Sequence, residues 1–257
     1  MRYMRSFQYI FDHKDWPMHV LMVTIGLIIP VIGPIVLLGY SFELIEWLLA
    51  NPDRKDYPKF DFNRFTENLK RGVWPFLTQL LVSVVISLPV SLFAAFFMFV
   101  IVAAAHAADS PALVVLAQLF MFVFSLAFGV VISVVTTPAI IHTGLTQKLD
   151  FNAMFGFVKD FVKRMWKETF IAMAFLIVAA MVLTTLGFCA FCVGMYFAAA
   201  IVYLAKDHLF YQLYAMYLQR GGVAIHRQPK AEPDESLIGE APPPPTSGPP
   251  DDRIRPA

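Results

Sequence analysis

The chain has 257 residues, of which 58% are hydrophobic and 15% charged, with a formal net charge of +1 and two cysteines. Soluble domains run at about 45–50% apolar and about 25% charged, so this composition excludes a protein that hides all its apolar surface from lipid. The near-zero charge excludes a nucleic-acid binder driven by overall basicity, and two cysteines exclude a disulfide scaffold.

Residues 1–17 carry Arg2, Arg5 and Lys14 and read as an interfacial segment. Four apolar regions of about 18 residues or more follow, each long enough for a membrane span: Met18–Ala50, Val73–Ala107, Pro111–Thr143 and Thr169–Leu218. The first is too long for a signal-peptide core and lacks a small-residue cleavage pattern after it. It is broken by Pro30-Val31-Ile32-Gly33-Pro34, which ends or kinks a helix. It is a thin hairpin, a re-entrant pair or one kinked helix. The last region is about 75 Å as one helix, and Gly187 and Gly194 mark a turn in its middle.

Bases decide the topology, because Lys and Arg in short loops stay on the cytoplasmic side. Six of them lie between Arg54 and Arg71, five between Lys148 and Lys167, and five from Arg220 to Arg255. His106–Ser110 and Gly187–Gly194 have none. Three hairpins (18–50, 73–143 and 169–218) put these bases on one side, giving six membrane segments with both termini cytoplasmic. The expected fold is an all-α, polytopic integral membrane helix bundle over residues 18–220.

Two amphipathic stretches precede spans. After Asp150, apolar Phe151, Met154, Phe155, Val158, Phe161, Val162 and Met165 alternate with Lys159, Asp160, Lys163 and Arg164 at helical spacing. Asp61 opens a shorter copy. Residues 61–72 and 150–166 are therefore predicted as interfacial helices. Trp74 and Trp166 mark where spans begin. The pattern of amphipathic helix, Trp and long span recurs, which reads as an internal repeat. The middle hairpin is over-long: Val73–Ala105 would run about 50 Å against a core of about 30 Å, so it must tilt, kink near Pro89 or project.

Few residues carry chemistry. Glu43, Glu46, Asp207 and His208 sit near helix ends with Lys206 beside them. Ionisable groups in a membrane often mark an ion or substrate path, and the alternative is a clamp between hairpins or a solvated helix end. Gln79, Ser83, Ser87 and Ser91 line one helix face, and Gln118, Ser125, Gly129, Ser133 and Thr136 line another. An antiparallel hairpin would bring Ser87 near Gly129. Such faces pack helices or form a polar conduit. Cys189 and Cys192 form a C-x-x-C at the far turn, suited to apolar packing, a disulfide or thiol exchange. His106, Asp109 and His142 fit no metal spacing, and no nucleophile–base motif, P-loop or dinucleotide fingerprint occurs. The sequence thus leads to the expectation of no enzyme activity and no cofactor. Residues 221–257, with Pro242-Pro243-Pro244-Pro245, read as a disordered cytoplasmic tail open to a groove-bearing partner.

Short motifs carry a resemblance: Phe7-Gln8-Tyr9-Ile10-Phe11 with Asp15-Trp16, Ile29-Pro30-Val31-Ile32-Gly33 with Leu38-Gly39-Tyr40, Pro58-Lys59-Phe60-Asp61 with Gly72, and His208-Leu209-Phe210-Tyr211-Gln212. From Met1 to about Arg220 the chain resembles the prokaryotic membrane family named domain of unknown function 4013. The resemblance implies a prokaryotic inner-membrane protein and carries over no catalytic residue. The first functional expectation is a non-catalytic subunit or scaffold, with the bilayer and a membrane partner or second copy as its company. The others are a small transporter or channel and a membrane thiol–disulfide oxidoreductase.

Overall fold

The computed structural model describes residues 1–52, 57–189 and 193–225. Cys192 and the Pro-rich tail lie outside the described residues. The helices are α1 (Arg5–Asp12), α2 (Trp16–Ile28), α3 (Ile32–Ala50), α4 (Phe65–Val82), α5 (Leu88–Ala107), α6 (Pro111–Thr146), α7 (Phe151–Cys189) and α8 (Val193–Gln219). Among the described residues there is no strand. The protein is an all-α membrane helix bundle. Among the described residues, four helical stretches are long and apolar enough to cross a membrane: Ile32–Ala50, Phe62–Ala107, Pro111–Thr146 and Phe151–Cys189.

Helix boundaries follow local chemistry. Asp61 accepts a hydrogen bond from the Asn63 amide (2.9 Å) and opens a single 3₁₀ turn that feeds α4. Asp150 likewise accepts from the Ala153 amide (3.1 Å) at the start of α7. Side-chain oxygens at these positions satisfy amides that have no partner within the helix. The amphipathic stretches at 61–72 and 150–166 are helical, and they run without a break into the apolar segments that follow. Between α4 and α5 the helix widens into a π turn at Ser83–Ser87. Pro89 follows directly. Its ring would clash with the carbonyl four residues back, that of Val85, and the wider turn accommodates it without a break.

The first apolar region is a helical hairpin. The Pro30 carbonyl accepts from the Ile32 amide (2.7 Å), and Val31 sits at φ 62°, ψ −60°. That is a γ-turn of the rarer, strained hand. Gly26 packs against Leu37, and Gly33 abuts the Gly26 carbonyl, which brings α2 and α3 together beside the turn. With 13 residues, α2 is about 20 Å long, shorter than a hydrocarbon core of about 30 Å. The turn and its flanks, Ile28, Val31 and Ile32, are exposed and apolar.

α3 is the central helix. A Cβ at Gly39 would overlap the Asn68 carbonyl, and one at Gly72 the Ile35 carbonyl, so α3 and α4 touch backbone to backbone. On its other side, Phe42 fills the space above Gly144 of α6. One core cluster joins Tyr9, Ile10, Val23, Leu37, Tyr40, Leu44 and Leu204. A second joins Phe42, Ile45, Ile141, Phe161, Met165, Leu213 and Tyr217. The second cluster occupies the stretches of α7 and α8 that also carry Arg164 and Arg220. Beyond this body α5 and the first half of α6 project as a hairpin, with Ala105, Ala117 and Val130 their buried hydrophobic side chains up to residue 135.

Candidate functional site

α8 brings its polar residues inward where α1, α2 and α3 converge. Asp207 is fully buried, and its Oδ2 accepts a hydrogen bond from Ser41 Oγ of α3 (2.8 Å). Lys206 Nζ lies 3.5 Å from Oδ1. That separation is a charge contact but longer than a hydrogen bond, and Oδ1 has no hydrogen-bond donor. The ammonium also sits 3.6 Å from the centre of the Tyr203 ring, a cation–π contact. Tyr203 Oη in turn lies 3.0 Å from Ser41 Oγ.

The next residue, His208, faces α1. Its Nδ1 is 3.1 Å from Ser6 Oγ and 2.9 Å from Gln212 Nε2. Its ring stacks on Tyr9 at 4.5 Å, and Tyr9 Oη donates to the Leu204 carbonyl (2.8 Å). Gln212 closes the set by exchanging hydrogen bonds with the Arg2 backbone. A third group gathers at α2 and α3: Tyr40 Oη lies 3.0 Å from His19 Nε2 and donates to the Pro58 carbonyl (2.8 Å). Tyr57 Oη donates to the Ile10 carbonyl (3.0 Å). Burial pushes the Tyr9 and Tyr57 phenols above their ordinary pKa. Both hydroxyls are therefore fixed donors.

Glu43 and Glu46, three residues apart on α3, do not reach Lys206. Glu43 pairs with Arg64, which also holds Glu67, and Glu46 pairs with Arg71. These pairs clamp α3 to α4. A hydrogen bond and the charge of Lys59 hold Asp15 below the usual carboxylate pKa, tying the α1–α2 corner to the segment before α4. At the base of the bundle Arg220 pairs with Glu168 and donates to the Arg164 carbonyl, while Arg164 donates to the Arg220 carbonyl.

The structure does not gather the remaining candidates. Gln79 and Ser83 are exposed and Ser87 is half-buried along α4 and the π turn. Gln118 and Ser125 are exposed on α6, and a side chain at Gly129 would meet Ile177 of α7 rather than Ser87. Cys189 is a free, exposed thiol at the end of α7. Sequence reasoning missed Ser6, His19, Ser41 and Tyr203, and it placed Tyr9, Tyr40 and Gln212 only in the motifs that carry the resemblance. The spacing of His208 and Gln212, one helical turn apart, was the available signal.

Two spaces adjoin these groups. A groove of about 320 Å³ runs between α7 and α8 with Leu27 of α2 beside it, and Lys206 and Tyr203 stand in its wall. A cavity of about 300 Å³ at the charged end is lined by His142, Phe157, Asp160, Tyr217 and the Val223–Ile225 segment. His142 is 6% exposed, and its Nδ1 has no hydrogen-bond partner. Among the described residues, no group of three or more His, Cys, Asp or Glu is placed to hold a metal ion.

Residues 22–193 match the model of a family described as Protein of unknown function (DUF4013). No curated protein and no solved structure matches the chain.

Proposed function

The chain belongs to the DUF4013 family of proteins of unknown function, and on the strength of its own surfaces we propose that it is a non-catalytic subunit or scaffold of a membrane complex. The carrying observation is the projecting hairpin of α5 and α6 with the end of α4 beneath it. Gln79, Ser83, Gln118 and Ser125 are exposed there among Phe93, Phe96, Phe120 and Val123. A carboxamide facing acyl chains is costly unless another polar group meets it. A neighbouring membrane helix supplies such a group, whereas lipid tails cannot. The hairpin is the surface that a partner or a second copy would cover.

The placement belongs to the same proposal. Basic residues cluster at one end of the body, and the turn at Ala108–Ser110 carries none. By the positive-inside rule the charged end and both termini face the cytoplasm of a prokaryotic cell, in its inner membrane.

The test is a photo-crosslinking residue at position 118 in the full-length chain, irradiated in native membranes. The reading expects a discrete protein adduct that Gln79→Leu weakens. Adducts to lipid alone would overturn it. A small transporter is the second reading, favoured by Asp207, a buried carboxylate with one oxygen lacking a donor. It requires that Asp207→Asn abolish a flux carried by the protein in proteoliposomes.

A further inference from the structure

The groove between α7 and α8 has a direction. Leu176, Ala180 and Thr184 recur every four residues along one face of α7, and Ala199, Val202, Tyr203 and Lys206 share one face of α8. The helices are antiparallel. Leu176 therefore stands at the Lys206 end, nearer the charged body, and Thr184 stands toward the far turn with Ala199. From Leu176 to Thr184 the channel runs about 12 Å. Ala180 and Ala199 leave it open because neither side chain reaches across. Its volume, about 320 Å³, lies at the lower end of ligand-sized sites, which span about 300–1,000 Å³.

Lys206 makes one end of this apolar slot cationic. Its side chain is 22% exposed. The ammonium carries three N–H donors. Asp207 Oδ1, at 3.5 Å, engages at most one of them and weakly, and the Tyr203 face attracts the charge without supplying a lone pair. Ser41 meanwhile holds the other Asp207 oxygen. The cation is thus anchored mainly by charge, while two of its three donors stay available to the groove.

We propose that this groove binds an anionic phospholipid of the leaflet on the charged side, with one acyl chain between α7 and α8 and its headgroup phosphate on Lys206. The head-to-tail polarity of the slot matches that of such a lipid. The cation sits toward the charged end, where headgroups lie, and the apolar walls continue toward the bilayer centre. The site is independent of any protein partner on the α5–α6 hairpin.

The experiment takes the full-length protein from nanodiscs holding equal amounts of phosphatidylglycerol and phosphatidylcholine, and counts retained lipids by native mass spectrometry. One retained phosphatidylglycerol per chain is expected, preferred about five-fold over phosphatidylcholine, the scale of one lysine near a charged headgroup. Ala180→Phe fills the slot and should remove the retained lipid. Should that variant fail to fold, Ala199→Leu reads the same space more gently. The double change Lys206→Met with Asp207→Asn removes both charges together and should erase the preference while leaving chain binding. Equal retention of the two lipids by the unaltered protein would overturn the proposal. So would undiminished retention in a folded slot-filled variant, or displacement of the lipid by inorganic phosphate alone, which would assign the cation to a soluble anion.

Discussion

Asp207, Lys206 and Ser41 show how a charge is kept inside an apolar bundle. The carboxylate has one hydrogen bond and one cation, so losing either partner leaves a buried charge poorly compensated. Lys206→Met alone should cost about 3–5 kcal/mol, the scale for breaking one side of a buried pair. The double change with Asp207→Asn should cost clearly less, which a double-mutant cycle on thermal or denaturant unfolding in detergent would read. Ser41→Ala should cost about 1–3 kcal/mol, the price of a buried acceptor left without its donor. Asp15 behaves differently because it is exposed. Its pKa is lowered in the folded state by Lys59, so its small contribution is complete above the ordinary carboxylate range and fades as pH falls through the folded value. A modest acid sensitivity that vanishes in Lys59→Gln is the expected result.

Among the helices, α3 and α4 approach backbone to backbone at Gly39 and Gly72. Gly72→Ala has no room for its methyl group against the Ile35 carbonyl. It should force the helices apart, at about 1–3 kcal/mol by overpacking alone, and it should strain the Arg64–Glu43 and Arg71–Glu46 pairs that bridge the same helices. The α2–α3 turn offers the opposite case. Val31 holds a positive φ that a β-branched residue rarely adopts, so Val31→Gly should raise the unfolding temperature by relieving strain worth about 1–3 kcal/mol. The break itself was legible from Pro30, Gly33 and Pro34. That the chain reverses on a single residue was not, because nothing in the composition of that run distinguishes a γ-turn from a kink.

Taken whole, the molecule was legible in proportion to how repetitive its patterns are. Long apolar runs announce spans, and α4 to α8 follow them closely. Amphipathic spacing at 150–166 announced a helix but not its continuation, since an apolar stretch follows with no Gly or Pro to end it. The site was less legible. Its polar groups come from four separate helices, α1, α2, α3 and α8, and no local pattern signals that Tyr9, Ser41 and Asp207 meet. Motif residues nevertheless converge there: Tyr40 reaches Pro58, Gly39 and Gly72 set the α3–α4 contact, and Tyr9, His208 and Gln212 interlock. At this scale the short hairpin makes its own prediction. Because α2 is about 20 Å long and its turn is wholly apolar, a cysteine placed at Val31 in a Cys189→Ser, Cys192→Ser background should resist impermeant maleimides from both sides of the membrane. Labelling from the face opposite the charged end would mean that the hairpin crosses completely.

The brevity of that hairpin also bears on the bilayer around it. α1, α2 and much of α3 would add cross-section to one half of the membrane with no counterpart in the other, so the embedded body tapers like a wedge. Such an insert relaxes packing stress where its wide end meets an expanded monolayer. The protein should therefore concentrate in strongly bent membrane, and reconstituted chains should favour small vesicles over large ones when the wide end faces outward.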